Sequence, residues 1–95
     1  MSELSFEWDE EKRESNIKKH DVDFFDAALI FESQTLEEAD TSANYGEERY
    51  RAIGVSGDVV LCVVYTWREE EVIRIISAWK ATKNDTERYY KEIYP

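Results

Sequence analysis

The chain has 95 residues, 42% of them hydrophobic and 14% aromatic, with one proline and three glycines. That suffices for one domain with a modest core and excludes a disordered chain. A net charge of −10 argues against nucleic-acid binding through bulk charge, and a single cysteine excludes an internal disulfide framework or a cysteine-rich zinc site.

LSFEWDE alternates weakly, so a short strand is expected over residues 4–7, at a sheet edge. Asp9 suits a helix N-cap, with Glu10 and Glu11 in the first turn near the positive end of the dipole. This helix is expected to run to about His20, where Lys18, Lys19 and His20 suit the negative end. It is mostly polar, and Ile17 is its one large aliphatic residue. Asp23 caps a second helix, with Asp26 three residues on in a capping-box arrangement. Phe24, Ala28 and Phe31 fall at i, i+4 and i+7, and Phe25 and Leu29 widen that stripe. The stripe is expected to lie on the sheet, each buried phenylalanine contributing roughly 1.5–3 kcal/mol.

Residues 34–48 are acidic and turn-rich, with at most a short strand near residues 35–38. Three stronger strands follow, RYRAIGV, VVLCVVYTW and EVIRIISAW. Ser56-Gly57-Asp58 joins the first pair as a tight hairpin and residues 68–70 join the second. The middle strand is apolar on both faces and is expected to be central. Cys62 within it reads as a small buried hydrophobe, since nothing nearby is placed to lower a thiol pKa. Thr82 or Asn84 caps a last helix whose sticky face is Thr86, Tyr90, Ile93 and Tyr94. Tyr45, Tyr89 and Tyr90 read as core or helix packing. The order β, α, α, weak β, β, β, β, α points to an α+β fold. An antiparallel sheet carries two N-terminal helices and one C-terminal helix, in a single domain over residues 1–95.

No apolar run is long enough to span a membrane, and MSELSFEWDEE lacks the regions of a signal peptide, so a cytoplasmic location is expected. One histidine and no HExxH spacing leave neither metal nor cofactor expected. The charge is uneven. Residues 1–48 hold 15 acidic and 4 basic side chains, whereas residues 49–95 hold 7 acidic and 8 basic. Local basic surface is therefore compatible with an acidic chain.

Simple alternation puts Val72, Arg74, Ile76, Ala78 and Lys80 on one face of the last strand and Ile73, Ile75, Ser77 and Trp79 on the other. Arg49 and Arg51 share a face with Ile53. Lys12, Asn16, Lys19 and His20 form one polar stripe on the first helix. With that helix near the strand ends, Lys12, His20, Arg49 and Arg74 make a cationic pocket suited to phosphate. Cutting RNA requires deprotonating a 2′-hydroxyl, stabilising the phosphorane and protonating the leaving oxygen. Histidine, lysine and arginine can do all three without a metal, and Tyr65 or Trp67 can stack a base. Each residue also has a plainer reading. Lys12 and His20 fit a solvated helix face, and Arg49 and Arg51 fit local ion pairs with Glu47 and Glu48. Arg74 inside VIRII either pairs with an acid or faces a site, because a buried unpaired guanidinium is costly.

Three segments together resemble the BrnT toxins of bacterial type II toxin–antitoxin systems. They are FEWDEEKRESNIKKHDVDFFDAALIF, YGEERYRAIG and VVYTWREEEVIRIISAWKA, with an ERYY helix after them. The resemblance implies a RelE-like fold with a twisted antiparallel sheet and a metal-independent endoribonuclease that inhibits growth. It implies neutralisation in a hetero-oligomer by a BrnA-type antitoxin, a ribbon–helix–helix protein through which alone DNA is reached. By position, Lys12, Asn16 and His20 match the family's first-helix motif, Arg49 the arginine after the G-E pair, and Arg74, Ser77 and Lys80 the late strand motif. Lys12, His20, Arg49, Arg74 and Lys80 are thus expected in catalysis, and Asn16, Arg51, Tyr65, Ser77 and Trp79 in substrate binding. One departure stands out: the family's ISARKA is ISAWKA here, so Trp79 replaces a phosphate-binding arginine. That substitution and the acidity admit a second reading, a degenerate toxin whose role is to bind its antitoxin and tune the operon.

Overall fold

A computed structural model describes residues 3–41 and 46–95, so Tyr45 lies outside the described residues. Strand β1 (Ser5–Glu7) leads into helices α1 (Glu10–His20) and α2 (Phe24–Ala28), and α2 runs on as a 3-10 turn (Leu29–Glu32). Strands β2 (Leu36–Ala39), β3 (Tyr50–Ser56), β4 (Val59–Glu69) and β5 (Val72–Lys80) precede helix α3 (Lys83–Ile93). The strands form one sheet in the order β1-β5-β4-β3-β2. This is the expected α+β arrangement, with one addition. Strands β2 to β5 pair antiparallel, but β1 lies parallel to β5 at the edge. No hairpin ties β1 to β5; most of the chain intervenes, which leaves a parallel pairing open.

The sequence signals act where they stand. The Asp9 carboxylate accepts from the N–H groups of Glu11 and Lys12 at 2.8 and 3.3 Å. Asp23 caps α2 through Phe25 N–H, and Thr82, rather than Asn84, caps α3 through Asp85 N–H. Asp21, at φ 57°, closes α1 in the left-handed region with its N–H on Ile17 O.

The α2 stripe meets the expected one in part: Phe24 is core and Ala28 and Phe31 pack against it, but the other fully buried positions are not the expected ones. Beyond Ala28 the helix tightens to three residues per turn, so inward positions recur every third residue. Phe24, Ala27 and Ile30 are fully buried, whereas Phe25 is 61% exposed and Leu29 43% exposed. They pack with Ala52, Leu61, Val63, Tyr65, Ile73, Ile75 and Ala78 on one side of the sheet. Gly54 allows the 3-10 turn its close approach: a Cβ there would meet Ile30 Cβ at 2.9 Å. A second cluster, Ile53, Cys62 and Tyr89, joins Leu36, Val55, Val60, Trp79 and Ile93 beneath α3. Tyr89 is thus core, while Tyr90 is 45% exposed. Cys62 is buried too, and burial pushes its thiol up to about 12, as befits an inert hydrophobe.

A bulge on β5 corrects the expected sorting of its side chains. Val64 pairs with Ser77 but Tyr65 pairs with Ile75, which leaves Ile76 as the extra residue. Ile73 and Ile75 before it, and Ala78 after it, all enter the α2-side core. Arg74 therefore shares its face with Ser77 and Trp79, while Lys80 pairs with Leu61 of the α2-side core.

Candidate functional site

The cross-strand register builds three rows of side chains on the sheet face that carries α3. The first row is Leu36, Ile53, Cys62 and Trp79, and Tyr89 and Ile93 cover it. The second is Glu38, Arg51, Val64 and Ser77. The third contains Thr66, Arg74 and Glu7. The apolar side chains of α3 stop at the first row, so the second and third present polar groups beyond it. Rows two residues apart stand roughly 7 Å from each other, so Arg74 and Trp79 are about 14 Å apart.

Every guanidinium on this face meets a carboxylate. Arg51 Nη2 donates to Glu38 at 2.6 Å, Arg88 of α3 reaches the same carboxylate at 3.0 Å, and Arg74 Nη1 donates to Glu7 at 2.8 Å. The Arg88 and Arg51 hydrogen bonds hold the Glu38 carboxyl down at about 2. Arg49, just before β3, bonds Glu47 at 3.1 Å, and Thr66 Oγ1 donates to Glu48 O at 2.6 Å. Arg88 also bonds Asp85 at 3.3 Å, so Arg51, Arg88 and Arg74 face three carboxylates, Glu38, Asp85 and Glu7. This is a preorganised face, not a bare positive one.

Helix α1 borders the same strand. Beyond Arg74 the outer edge of β5 has no β1 partner, and Asn16 takes that place. Its amide donates to Ala78 O at 2.8 Å and Val22 O at 2.9 Å, and its oxygen accepts from Ala78 N–H at 3.1 Å. Asn16 is 5% exposed and its amide is committed, so it positions α1 and is not available to substrate. One turn on, the His20 ring comes 6.0 Å from the Trp79 ring. Lys19, His20, Trp79 and Lys80 line an open concavity of ≈ 630 Å³, with the Lys80 ammonium 4.0 Å from Asp21. Lys12, one turn before Asn16, is exposed and forms no ion pair with a described residue.

The expected pocket of Lys12, His20, Arg49 and Arg74 does not close. Arg49 and Arg74 belong to the third-row end of the sheet, and His20 to the first-row end. Tyr65 is also corrected: it is 1% exposed, its hydroxyl donates to Glu37, and its ring belongs to the α2-side core, out of reach of a base. Trp67, by contrast, is 45% exposed. Sequence reasoning missed Glu7, Glu38, Thr66 and Arg88. The alternation of Glu38 with RYR was a usable signal for one of them, but it needs the β2–β3 register across a turn-rich segment. Among the described residues no three His, Cys, Asp or Glu side chains converge to hold a metal ion, and no helix is long and apolar enough to cross a membrane.

Comparison with known proteins bears on this geometry. A search of curated proteins finds no match. The crystal structure of the Brucella abortus ribonuclease toxin BrnT is similar, with a TM-score of 0.63 and 28% identity, covering 84% of this chain and 99% of that one. A family model for the ribonuclease toxin BrnT of type II toxin–antitoxin systems matches residues 8–85, which include α1, all of β2 to β5 and most of the three rows. The chain belongs to the BrnT family of type II toxin–antitoxin toxins.

Proposed function

We propose that the chain is a metal-independent endoribonuclease, built as one module over residues 1–95, that works in the cytoplasm and inhibits growth by cutting RNA. The observation that supports this most is the part of the sheet face beyond α3, where Arg51 and Ser77 stand in the second row and Arg74 in the third. A phosphate over these rows takes forked donors from Arg74 and Arg51 in exchange for Glu7 and Glu38, and a hydroxyl from Ser77. Arg49 supports the third-row end. His20 supplies proton transfer from the α1 margin, with Lys12 and Lys80 as flanking charges and Trp79 as a partly covered aromatic edge for a base. The partner is an antitoxin of the BrnA kind in a hetero-oligomer, and DNA is reached only through it.

A second reading has its own support. Trp79 packs against the cluster that seats α3, and the arginines of the open rows are each held by an acid. Both features suit a toxin homologue that binds its antitoxin without cutting RNA. The deciding experiment is RNA cleavage by purified, antitoxin-free protein. Under the first reading the native chain cuts, and Arg74→Ala lowers the rate about 100-fold or more. A native chain that is inert while Trp79→Arg cuts establishes the second reading instead.

A further inference from the structure

The side of the sheet opposite the arginine rows carries α2, which comes from the acidic half of the sequence, and it holds an exposed apolar patch. Phe25 and Leu29, spaced i and i+4, point away from the core while Phe24, Ala27 and Ile30 fill it. The Trp8 ring packs edge-on against Phe25 with centroids 4.8 Å apart. Among the described residues, the cation at this patch is Arg13, 5.2 Å from the Phe25 ring centroid. Its guanidinium is already held by Glu10 and by both oxygens of Asp23, the latter at 2.9 Å. Exposed Asp26 and Glu32 flank the pair on the same short helix. The result is an aromatic and aliphatic surface with an anionic rim, whose own cation among the described residues, Arg13, is paired, while Lys80 lies across a concavity from Asp26.

The rim decides what fits. RNA and anionic lipid are repelled by it, and a second copy of a chain with net charge −10 would bring two acidic rims together. A protein segment with an apolar stripe bordered by lysine or arginine meets both features at once. We propose that Trp8, Phe25 and Leu29 form the docking surface for a basic amphipathic segment of the antitoxin, with Asp26 and Glu32 steering its approach. This rests on the reading that the chain has an antitoxin partner. Because the patch lies on the α2 side of the sheet and Arg51 and Arg74 on the other, docking here and RNA contact are separable.

The test measures binding of purified cognate antitoxin by calorimetry and by association kinetics, first to the native chain. Phe25→Ser with Leu29→Ser changes only exposed groups and keeps the fold, as circular dichroism verifies. It should weaken binding about 30-fold or more. Asp26→Lys with Glu32→Lys should slow association about tenfold and flatten its salt dependence. RNA cleavage by the Phe25→Ser, Leu29→Ser variant should match the native chain. If the native chain binds antitoxin and both variants bind equally well, the surface is wrong while the partner reading stands. If the native chain does not bind antitoxin at all, both fail.

Discussion

The two faces of the sheet solve different problems with the same strands. On the α2 side, Phe24, Ile30, Val63, Ile73 and Ala78 are all 0% exposed, and each position is dictated by its neighbours. On the α3 side only the first row is sealed. The second and third hold partly exposed Arg51, Ser77 and Arg74 with Glu38 and Glu7 beside the buried Val64 and Thr66, and a purely structural face would replace the charged groups with apolar ones. The covered face thus carries most of the stability, and the open one gives much of its sheet surface to charge. Under the proposed function, truncations on the two faces should therefore separate stability from RNA cleavage.

The largest stability effect is expected on the covered face. Phe24→Ala removes a ring from a site with no exposure and should cost about 3–5 kcal/mol, read as a fall in the urea midpoint with an unchanged slope. Next comes Asn16→Ala, at the seam between the faces. It leaves the polar groups of Ala78 and the carbonyl of Val22 without the partners they have now, at about 2–3 kcal/mol. It should also free the C-terminal end of α1 from β5, so RNA cleavage should fall with stability. Asn16→Asp should not rescue either, since a carboxylate cannot donate to two carbonyls.

Asn16 also shows how far the sequence could be read. The caps, the hairpins, the order of elements and the central position of β4 were legible because each rests on local chemistry: an aspartate before a helix, a Gly-Asp pair between strands, an unbroken apolar run. The site was legible only as a set of residues. Its geometry depends on one bulge at Ile76, and VIRIISAWK gives no sign of it because hydrophobic and polar residues occur on both of its faces. That bulge moves Arg74 onto the face of Ser77 and Trp79. Asn16 stood in a polar stripe and read as a ligand-facing group, since nothing local reveals that it substitutes for a missing strand. The 3-10 tightening after Ala28 hid in the same way: Phe24, Phe25, Leu29 and Ile30 fit either helical period, and packing against Gly54 chooses between them.

The open face should show itself in acid. The Glu38 carboxyl is held at about 2 against an ordinary value of 4.5, mainly by Arg88 and then by Arg51. A carboxyl with a depressed folded-state pKa stabilises the fold fully above 4.5, and that contribution is lost as pH falls towards 2. Discounted for the partial exposure of the group, it amounts to about 1–2 kcal/mol. Urea midpoints at pH 7, 4 and 2.5 should therefore decline less steeply in Glu38→Gln than in the native chain. Parallel declines would mean that the Arg51–Glu38–Arg88 arrangement contributes nothing to the fold.

The smallest stability effect should accompany the largest functional one, at Arg74. Its side chain is 32% exposed and its partner Glu7 also lies 3.9 Å from Arg68, so losing the guanidinium leaves neither a buried void nor an abandoned charge. Arg74→Ala should change the unfolding free energy by less than about 1 kcal/mol. Arg74→Lys sharpens the point, because it keeps the charge and discards the fork. If the third row acts as a bidentate phosphate donor, lysine should leave stability alone and still lose most of the cleavage that alanine loses. If it acts only through its field, lysine should restore cleavage nearly in full. A drop of several kcal/mol in either variant would instead make Arg74 a structural strut between β1 and β5, and the contrast between the two faces would lose its strongest residue.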